Sequence, residues 1–137
     1  ALVDGMHEFH FPLRDVENTL SYLNNNGLII MHDCNPQTPE ATCSFKEWEA
    51  NNYTGTWNGD VWKTILYLRS QRNDVDAFVL DCDHGLGIIC KHTPGKTLSY
   101  SLDEINQLTF NDLHNHRQEW LNLKPADYIY NYFSLSK

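Results

Sequence analysis

Positive charge and long apolar segments are both scarce in this sequence. Its 10 lysine and arginine residues are outnumbered by 18 aspartate and glutamate residues, which gives a net charge of −8. No cluster of basic residues reverses that charge locally, so phosphate backbones are repelled. No apolar run approaches the roughly 20 residues that a membrane-spanning helix requires. We therefore expect a soluble protein with no nucleic-acid partner and no membrane partner.

Paired cysteine motifs are also missing. The four cysteines (Cys34, Cys43, Cys82 and Cys90) form no C-x-x-C pair and match no common zinc spacing. Free thiols in a cytoplasmic, reducing setting are the simplest interpretation. A Cys34–Cys43 disulfide stays open as the alternative, because a sequence does not report whether two β-carbons face each other.

The first third of the chain predicts two parallel strands joined by a helix. Leu2 and Val3 form the end of an apolar strand, and residues 12–24 repeat apolar side chains at helical spacing. Asn and Gly at 24–27 then end the helix. Residues 28–31 are continuously apolar, which predicts a strand covered on both faces, as in a parallel sheet flanked by helices.

The rest of the chain predicts one long connection, a second helix and an antiparallel hairpin. Residues 35–57 are polar with scattered aromatic anchors, and such long connections are usually functional or disordered. Capping groups at 58–60 precede a helix that reaches about Arg72. The remaining predicted elements are a hairpin of strands 76–80 and 86–90 with its turn at 81–85, and weaker helices near 112–121 and 126–133.

Polar side chains follow both predicted parallel strands. Asp4 and His7 come after the first strand, and His32, Asp33 and Asn35 come after the second. Ligands of open parallel sheets bind outside the carboxyl ends of the strands, so these groups are expected to converge there. The aspartates and Asn35 offer oxygen ligands for a divalent cation, and an imidazole can act as a base. For either aspartate alone, a helix-capping role is the alternative.

Other chemically notable residues are given structural roles. His10 is expected at the surface or at a helix start, and His84 fits a turn. Glu47 and Glu49 are expected on a solvated face. The four tryptophans (Trp48, Trp57, Trp62 and Trp120) are interpreted as anchors of the core or of a lid.

Four segments together resemble class I S-adenosylmethionine-dependent methyltransferases. LVDGMHEFHFPLRDVENTLSYLNNNGLIIMHDCNP is similar to the fourth strand, the next helix and the fifth strand of that family. The likeness is to the subfamily with DG-x-H after strand four and HD after strand five. WNGDVWKTILYLR, VLDCDHGLGII and LHNHRQEWLNL resemble its next helix, its terminal hairpin and its C-terminal tail.

The resemblance implies an α/β fold with part of a doubly wound, Rossmann-like, mostly parallel sheet that ends in an antiparallel hairpin. Residues 1–123 would form the C-terminal half of the methyltransferase domain, and residues 124–137 would form a helical tail. The first three strands of the family, its glycine-rich cofactor loop and its ribose-binding acid have no counterpart in these residues. The cofactor site is therefore expected to be incomplete in this chain.

The resemblance also implies the roles of site residues. Asp4 and Gly5 would border the methionine end of S-adenosylmethionine, and His7 and His32 would lie near the methyl acceptor. His7, His32 and Asp33 are the implied catalytic residues.

A metal is implied less directly. Metal-dependent O-methyltransferases that look related have an aspartate after strand four and an Asp-Asn pair after strand five. Asp4 and Asp33 match the aspartates, but Cys34 stands where the asparagine would be and Asn35 is one position late. The implied ligands of Mg²⁺ or another divalent cation are Asp4, Asp33 and Asn35.

The leading expectation is methyl transfer to an oxygen of a small molecule or a sugar. One alternative is a non-catalytic binding or assembly module that forms a homodimer through an open sheet edge. Another is a small metal-dependent hydrolase that uses the carboxylates and imidazoles of Asp4, His7, His32 and Asp33.

Overall fold

Four strands form one mixed sheet in the computed structural model, which describes residues 1–136. They are β1 (Leu2–Val3), β2 (Leu28–Met31), β3 (Asp76–Leu80) and β4 (Leu86–Cys90). Their order in the sheet is β1-β2-β4-β3. β1 is parallel to β2, whereas β4 is antiparallel to both β2 and β3. The predicted bounds of β2, β3 and β4, and the predicted hairpin, are confirmed.

Six α-helices lie within residues 1–136. They are α1 (His10–Tyr22), α2 (Phe45–Ala50), α3 (Trp62–Gln71), α4 (Leu102–Gln107), α5 (Phe110–Trp120) and α6 (Tyr128–Tyr132). α1, α3, α5 and α6 lie where helices were predicted, with ends that differ by a few residues. None of these helices is long and apolar enough to cross a membrane.

The long connection at 35–57 is more regular than its sequence indicated. It contains a 3₁₀ turn at Glu40–Thr42 and the helix α2. The Ser44 hydroxyl accepts from the Glu47 N–H, and the Glu47 carboxylate accepts from the Ser44 N–H. Glu47 is exposed, as expected of a solvated face, but its carboxylate also holds the start of α2.

The larger part of the core lies on the sheet face covered by α1 and α3. Val16 and Leu20 of α1 and Ile29 and Met31 of β2 are buried there. Seven of the ten residues of α3 are buried, which places this helix at the centre of the packing. Trp62 and Trp120, predicted to anchor the core or a lid, stack on each other in this core.

The second sheet face is covered by the C-terminal segment. Phe78 and Ile88 are buried there, and Tyr128 and Tyr132 of α6 pack on Phe78. The Tyr132 hydroxyl donates to Asp76 at 2.8 Å, which ties α6 to the start of β3. Cover on both faces was predicted, but this second cover is thinner because α6 has only five residues.

The cysteines are free thiols, so the alternative Cys34–Cys43 disulfide is not present. Cys34 and Cys90 are buried. Burial raises the pKa of Cys90 to about 11 and also raises the pKa of Cys34.

Candidate functional site

The ends of β1 and β2 bring two aspartates to the same edge of the sheet. β1 and β2 are parallel, with Val3 opposite Met31, so the chain leaves both strands on the same side. Asp4 follows β1 directly, and His32-Asp33 follows β2. The His32 N–H donates to the Val3 carbonyl at 3.0 Å, which continues the pairing one residue past β2.

Asp33 is the buried centre of the site. Its carboxylate is held on both oxygens, because Oδ1 accepts from Asn58 Nδ2 at 2.8 Å and Oδ2 accepts from His32 Nδ1 at 2.8 Å. The residue is 5% exposed and has a left-handed backbone with φ of 62°. Aspartate tolerates that region better than most residues do.

His7 lies beside the same carboxylate oxygen of Asp33 that His32 contacts. Its Nε2 lies 3.2 Å from Asp33 Oδ2 and 3.6 Å from Asp4 Oδ1. Its Nδ1 lies 2.6 Å from the Trp57 carbonyl, and its ring stacks on the Trp57 indole at 4.8 Å. A carbonyl oxygen can only accept, so Nδ1 carries a proton.

The Asp33 carboxylate also orients His32, whose Nε2 is directed toward the β3–β4 turn. Nδ1 donates to Asp33, and Nε2 lies 3.5 Å from Asp83 Oδ2 in the β3–β4 turn. Burial lowers the pKa of His32, but the hydrogen bond to Asp33 and the charges of Asp33, Asp4 and Asp83 outweigh burial. The net result is a raised pKa.

Two glycines let neighbouring loops approach the site closely. Gly85 has φ of 91°, and a Cβ there would lie 2.4 Å from the Asn35 backbone nitrogen. Gly59 has φ of 57°, and a Cβ there would lie 1.8 Å from the His7 carbonyl oxygen. The hairpin turn and the loop before α3 thereby close around the ends of β1 and β2.

The polar residues at 58–60 were predicted to cap the helix that follows them, which is α3. They do not cap it. α3 has no side-chain hydrogen bond at its N-cap. Asn58 binds Asp33, and Asp60 Oδ1 accepts from the Phe9 N–H at 2.6 Å, just before α1. These side chains act on distant segments because the loop folds back over the His7 segment.

Asn35, the third predicted metal ligand, lies in a different network. Its Nδ2 donates to Asp81 Oδ1 at 2.9 Å, and its Oδ1 accepts from the Arg117 guanidinium. Arg117 Nη1 also donates to the Pro36 carbonyl at 2.7 Å. The amide oxygen that would bind a cation is thus directed at a positive charge.

The remaining predicted residues lie at the periphery. Gly5 is exposed beside Asp4. His10 is exposed and is the first residue of α1, as expected. His84 lies in the hairpin turn with φ of 60°, and its ring is 6.0 Å from that of His32.

Sequence reasoning missed three contributors to the site: Trp57, Asn58 and Asp83. Trp57 holds His7 through its main-chain carbonyl and its stacked indole, and no side-chain pattern reports the carbonyl contact. Asn58 and Asp83 were assigned to a helix cap and a turn, and those local roles hid their contacts across the fold.

The donor atoms of Asp4, His7 and Asp33 suit a divalent cation. One ligand atom from each lies within 4.8 Å of the others. Two carboxylates and one imidazole are ordinary metal ligands. The metal expectation therefore fits Asp4 and Asp33, with His7 rather than Asn35 as the third donor.

Comparisons with protein families, with curated proteins and with solved structures found no match to this chain.

Proposed function

We propose that this chain carries the acceptor side of a methyl-transfer site, which moves a methyl group from S-adenosylmethionine to an oxygen of a small molecule or sugar. The observation that carries this proposal is the His32–Asp33 pair at the carboxyl end of β2, beside the end of β1. A buried, hydrogen-bonded aspartate orients one nitrogen of the imidazole and leaves the other for a substrate proton.

The chemistry follows from the orientation of His32. With Nδ1 donating to Asp33, the lone pair of neutral His32 is on Nε2. Nε2 takes the acceptor hydroxyl proton while the oxygen lone pair attacks the sulfonium methyl carbon. The carbon–sulfur bond breaks, its electrons stay on sulfur, and the products are a methyl ether and the thioether. Asp33 stabilises the imidazolium that forms.

His32 is a better base than His7 because its Nε2 faces one carboxylate, that of the mostly exposed Asp83 at 3.5 Å, which can swing away when a hydroxyl binds. His7 Nε2 is directed at the carboxylates of Asp33 and Asp4. A hydroxyl could reach that nitrogen only by displacing a carboxylate. His7 therefore shapes the acceptor side, and Asp4 with Gly5 borders the cofactor.

The sheet is consistent with this proposal. Three of its strands share a direction, and the last strand in the chain, β4, is the antiparallel one. The resemblance implies that arrangement for the end of a doubly wound, Rossmann-like methyltransferase sheet. On this assignment residues 1–123 belong to the methyltransferase domain and residues 124–136 cover its second face.

The proposal is tested with full-length protein, S-adenosylmethionine labelled in its methyl group, and a panel of phenols, polyols and sugars. We expect label in a methyl ether, with S-adenosylhomocysteine formed in equal amount. Label recovered only on nitrogen or carbon, or no transfer to any hydroxyl compound, would contradict the proposal.

A second candidate function is self-association through β1. β1 is the outer strand of the sheet, and Leu2 on it is 69% exposed. Unpaired strand edges are templates for pairing with another chain. A homodimer formed in this way would be an assembly role that needs no catalysis.

A further inference from the structure

His7 presents a lone pair to two carboxylates. Because Nδ1 donates its proton to the Trp57 carbonyl, the neutral ring has its lone pair on Nε2. That lone pair faces Asp33 Oδ2 at 3.2 Å and Asp4 Oδ1 at 3.6 Å. Three electron-rich atoms from three side chains thus converge, and a metal ion bound between them would accept all three lone pairs at once.

We propose that Asp4 Oδ1, His7 Nε2 and Asp33 Oδ2 together bind one divalent transition-metal ion. Metal bonds of about 2.1 Å place neighbouring ligand atoms about 3.0 Å apart at a right angle and about 3.4 Å apart at a tetrahedral angle. The two distances from His7 Nε2 lie close to this interval. Asp4 is half-exposed, so its carboxylate can adjust when the ion enters.

The hydrogen-bond partners of these ligands are of the kinds found around ligands in metal sites. A ligating histidine usually donates its second ring N–H to a carbonyl or carboxylate, and ligating carboxylates are themselves hydrogen-bonded. Here the Trp57 carbonyl holds His7, while Asn58 and His32 donate to Asp33. Two of the three ligands are therefore held in place before any ion arrives.

The imidazole ligand selects the kind of ion. Magnesium and calcium prefer oxygen ligands, whereas imidazole suits transition metals such as zinc and iron. Had Asn35 supplied the third ligand, the set would have been all oxygen. With His7 in that position we expect Mn²⁺, Co²⁺ and Zn²⁺ to bind more tightly than Mg²⁺ and Ca²⁺.

Binding of the ion does not depend on the proposed function, but a role of the ion in catalysis rests on it. Three protein ligands leave coordination positions for solvent or substrate, as in catalytic metal sites. If methyl transfer is the activity, those positions suit the acceptor oxygen, beside the His32 base. The ion would then favour the deprotonated oxygen.

The test is metal binding by purified, chelator-treated protein. Mn²⁺ is titrated in while the paramagnetic resonance signal of the free ion is followed, and Co²⁺, Zn²⁺, Mg²⁺ and Ca²⁺ are compared by calorimetry. We expect one site that binds Mn²⁺, Co²⁺ and Zn²⁺ at least about tenfold more tightly than Mg²⁺ or Ca²⁺. Equal affinity for all five ions, or no binding of any, would overturn the proposal.

Variants locate the site. Asp4→Asn changes a half-exposed residue, so it should fold, and we expect it to weaken Co²⁺ binding by at least about tenfold. His7→Gln should abolish the preference for Co²⁺ over Mg²⁺. Its matched control is His10→Gln, three residues away and exposed, which should bind Co²⁺ like wild type. The proposal would be overturned if Asp4→Asn bound Co²⁺ as tightly as wild type, or if His7→Gln kept the wild-type preference for Co²⁺ over Mg²⁺.

The two proposals fail separately. Loss of methyl transfer with intact Co²⁺ binding would reject the activity and leave the metal site standing. Methyl transfer that persists in protein with no measurable metal binding would reject the metal site and leave the His32 base.

Discussion

At the scale of single residues, the carboxylate of Asp33 holds the site together. Three nitrogen atoms surround it, from His7, His32 and Asn58. A buried carboxylate is tolerated only when its oxygens are hydrogen-bonded or neutralised. His32 and Asn58 donate hydrogen bonds to it, so removing either donor should be costly in a way that removing a surface side chain is not.

Asn58→Ala tests that cost. It removes the Nδ2 donor from Asp33 Oδ1 and leaves a buried carboxylate oxygen without its partner, so we expect the free energy of unfolding to fall by about 1–3 kcal/mol. Urea denaturation measures it. The control is Asn115→Ala on the exposed face of α5, where a change within about 0.5 kcal/mol is expected. An Asn58→Ala protein as stable as wild type would show that Asp33 is not held as described.

The Arg72–Asp74 pair provides a pH test away from the site. Arg72 donates to both Asp74 oxygens and to Glu17 on α1. The hydrogen bonds from Arg72 lower the pKa of Asp74. The ion pair therefore stabilises the fold fully above the ordinary pKa of aspartate, and this stabilisation is lost as the pH falls through the lowered pKa of Asp74. Asp74 is mostly exposed, so the contribution is small.

Asp74→Asn should accordingly cost up to about 0.5 kcal/mol at about pH 7, and the cost should shrink as the pH falls below the ordinary aspartate pKa of about 3.9. Urea denaturation across that pH range measures the cost. In an Arg72→Gln background, the same substitution should have no effect at any pH in that range. A cost that grows as the pH falls would have the wrong sign for this interaction.

At the residue scale, the sequence located four of the site residues because the strand-end rule depends only on where strands end. Asp4 and His32 follow β1 and β2 directly, and Asp33 and His7 come within four residues of those strand ends. Asn35 was predicted as a metal ligand, but its side chain contacts Asp81 and Arg117 instead of Asp4 and Asp33. The left-handed backbone at Asp33 and the main-chain bonds of Asn35 to the hairpin turn direct its side chain to Arg117, and neither feature is visible in a residue pattern.

At the scale of elements, loops that pass close to one another set the site geometry. Gly59 lies against the His7 carbonyl, and the Asp60 N–H donates to that same carbonyl at 3.1 Å. The loop before α3 therefore positions the His7 segment directly. A side chain at residue 59 would push the two segments apart.

Gly59→Ala and Gly55→Ala form a matched pair. Both glycines have positive φ, at 57° and 83°, but a Cβ at Gly55 would meet nothing within 4 Å. We expect Gly55→Ala to cost only backbone strain, about 1 kcal/mol, and Gly59→Ala to cost at least about 2 kcal/mol more because the clash is with backbone. Thermal unfolding compares them, and equal melting temperatures would contradict the close approach.

Elements with strong apolar periodicity were predictable, whereas short capped helices were overlooked. β2, β3 and β4 match their predicted bounds. α4 was not predicted, although Ser101 and Glu104 form the S-x-x-E capping box that signals a helix start. The same signal, at Ser44 and Glu47, marks α2. These helices have few apolar residues, so periodicity alone could not detect them.

At the scale of the whole molecule, the sheet has one edge at β1 and the other at β3. The hairpin was predictable from its turn residues, but the insertion of β4 between β2 and β3 was not. Leu28 of β2 pairs with Cys90 of β4, and contacts so distant in sequence leave no local signal. The edge at β1 is where we expect association, because Leu2 is 69% exposed there.

Sedimentation velocity tests that association. We expect the average mass to rise toward a dimer between about 1 and 100 μM protein, a range that corresponds to association free energies of roughly −8 to −5 kcal/mol. Leu2→Lys adds charge to the edge and should shift the protein toward monomer, whereas Leu102→Lys, at an exposed leucine on α4, should not. A monomer throughout the concentration range would reject pairing through β1.

The central claim is that His32, oriented by Asp33, takes the proton of an acceptor hydroxyl. The most direct measurement is the single-turnover rate of methyl transfer, in the full-length protein used for the activity test, for His32→Gln compared with His114→Gln, which changes an exposed histidine on α5. We predict a loss of at least about 100-fold for His32→Gln, as for removal of a general base, and at most about a twofold change for His114→Gln. Equal rates for the two variants would contradict the account.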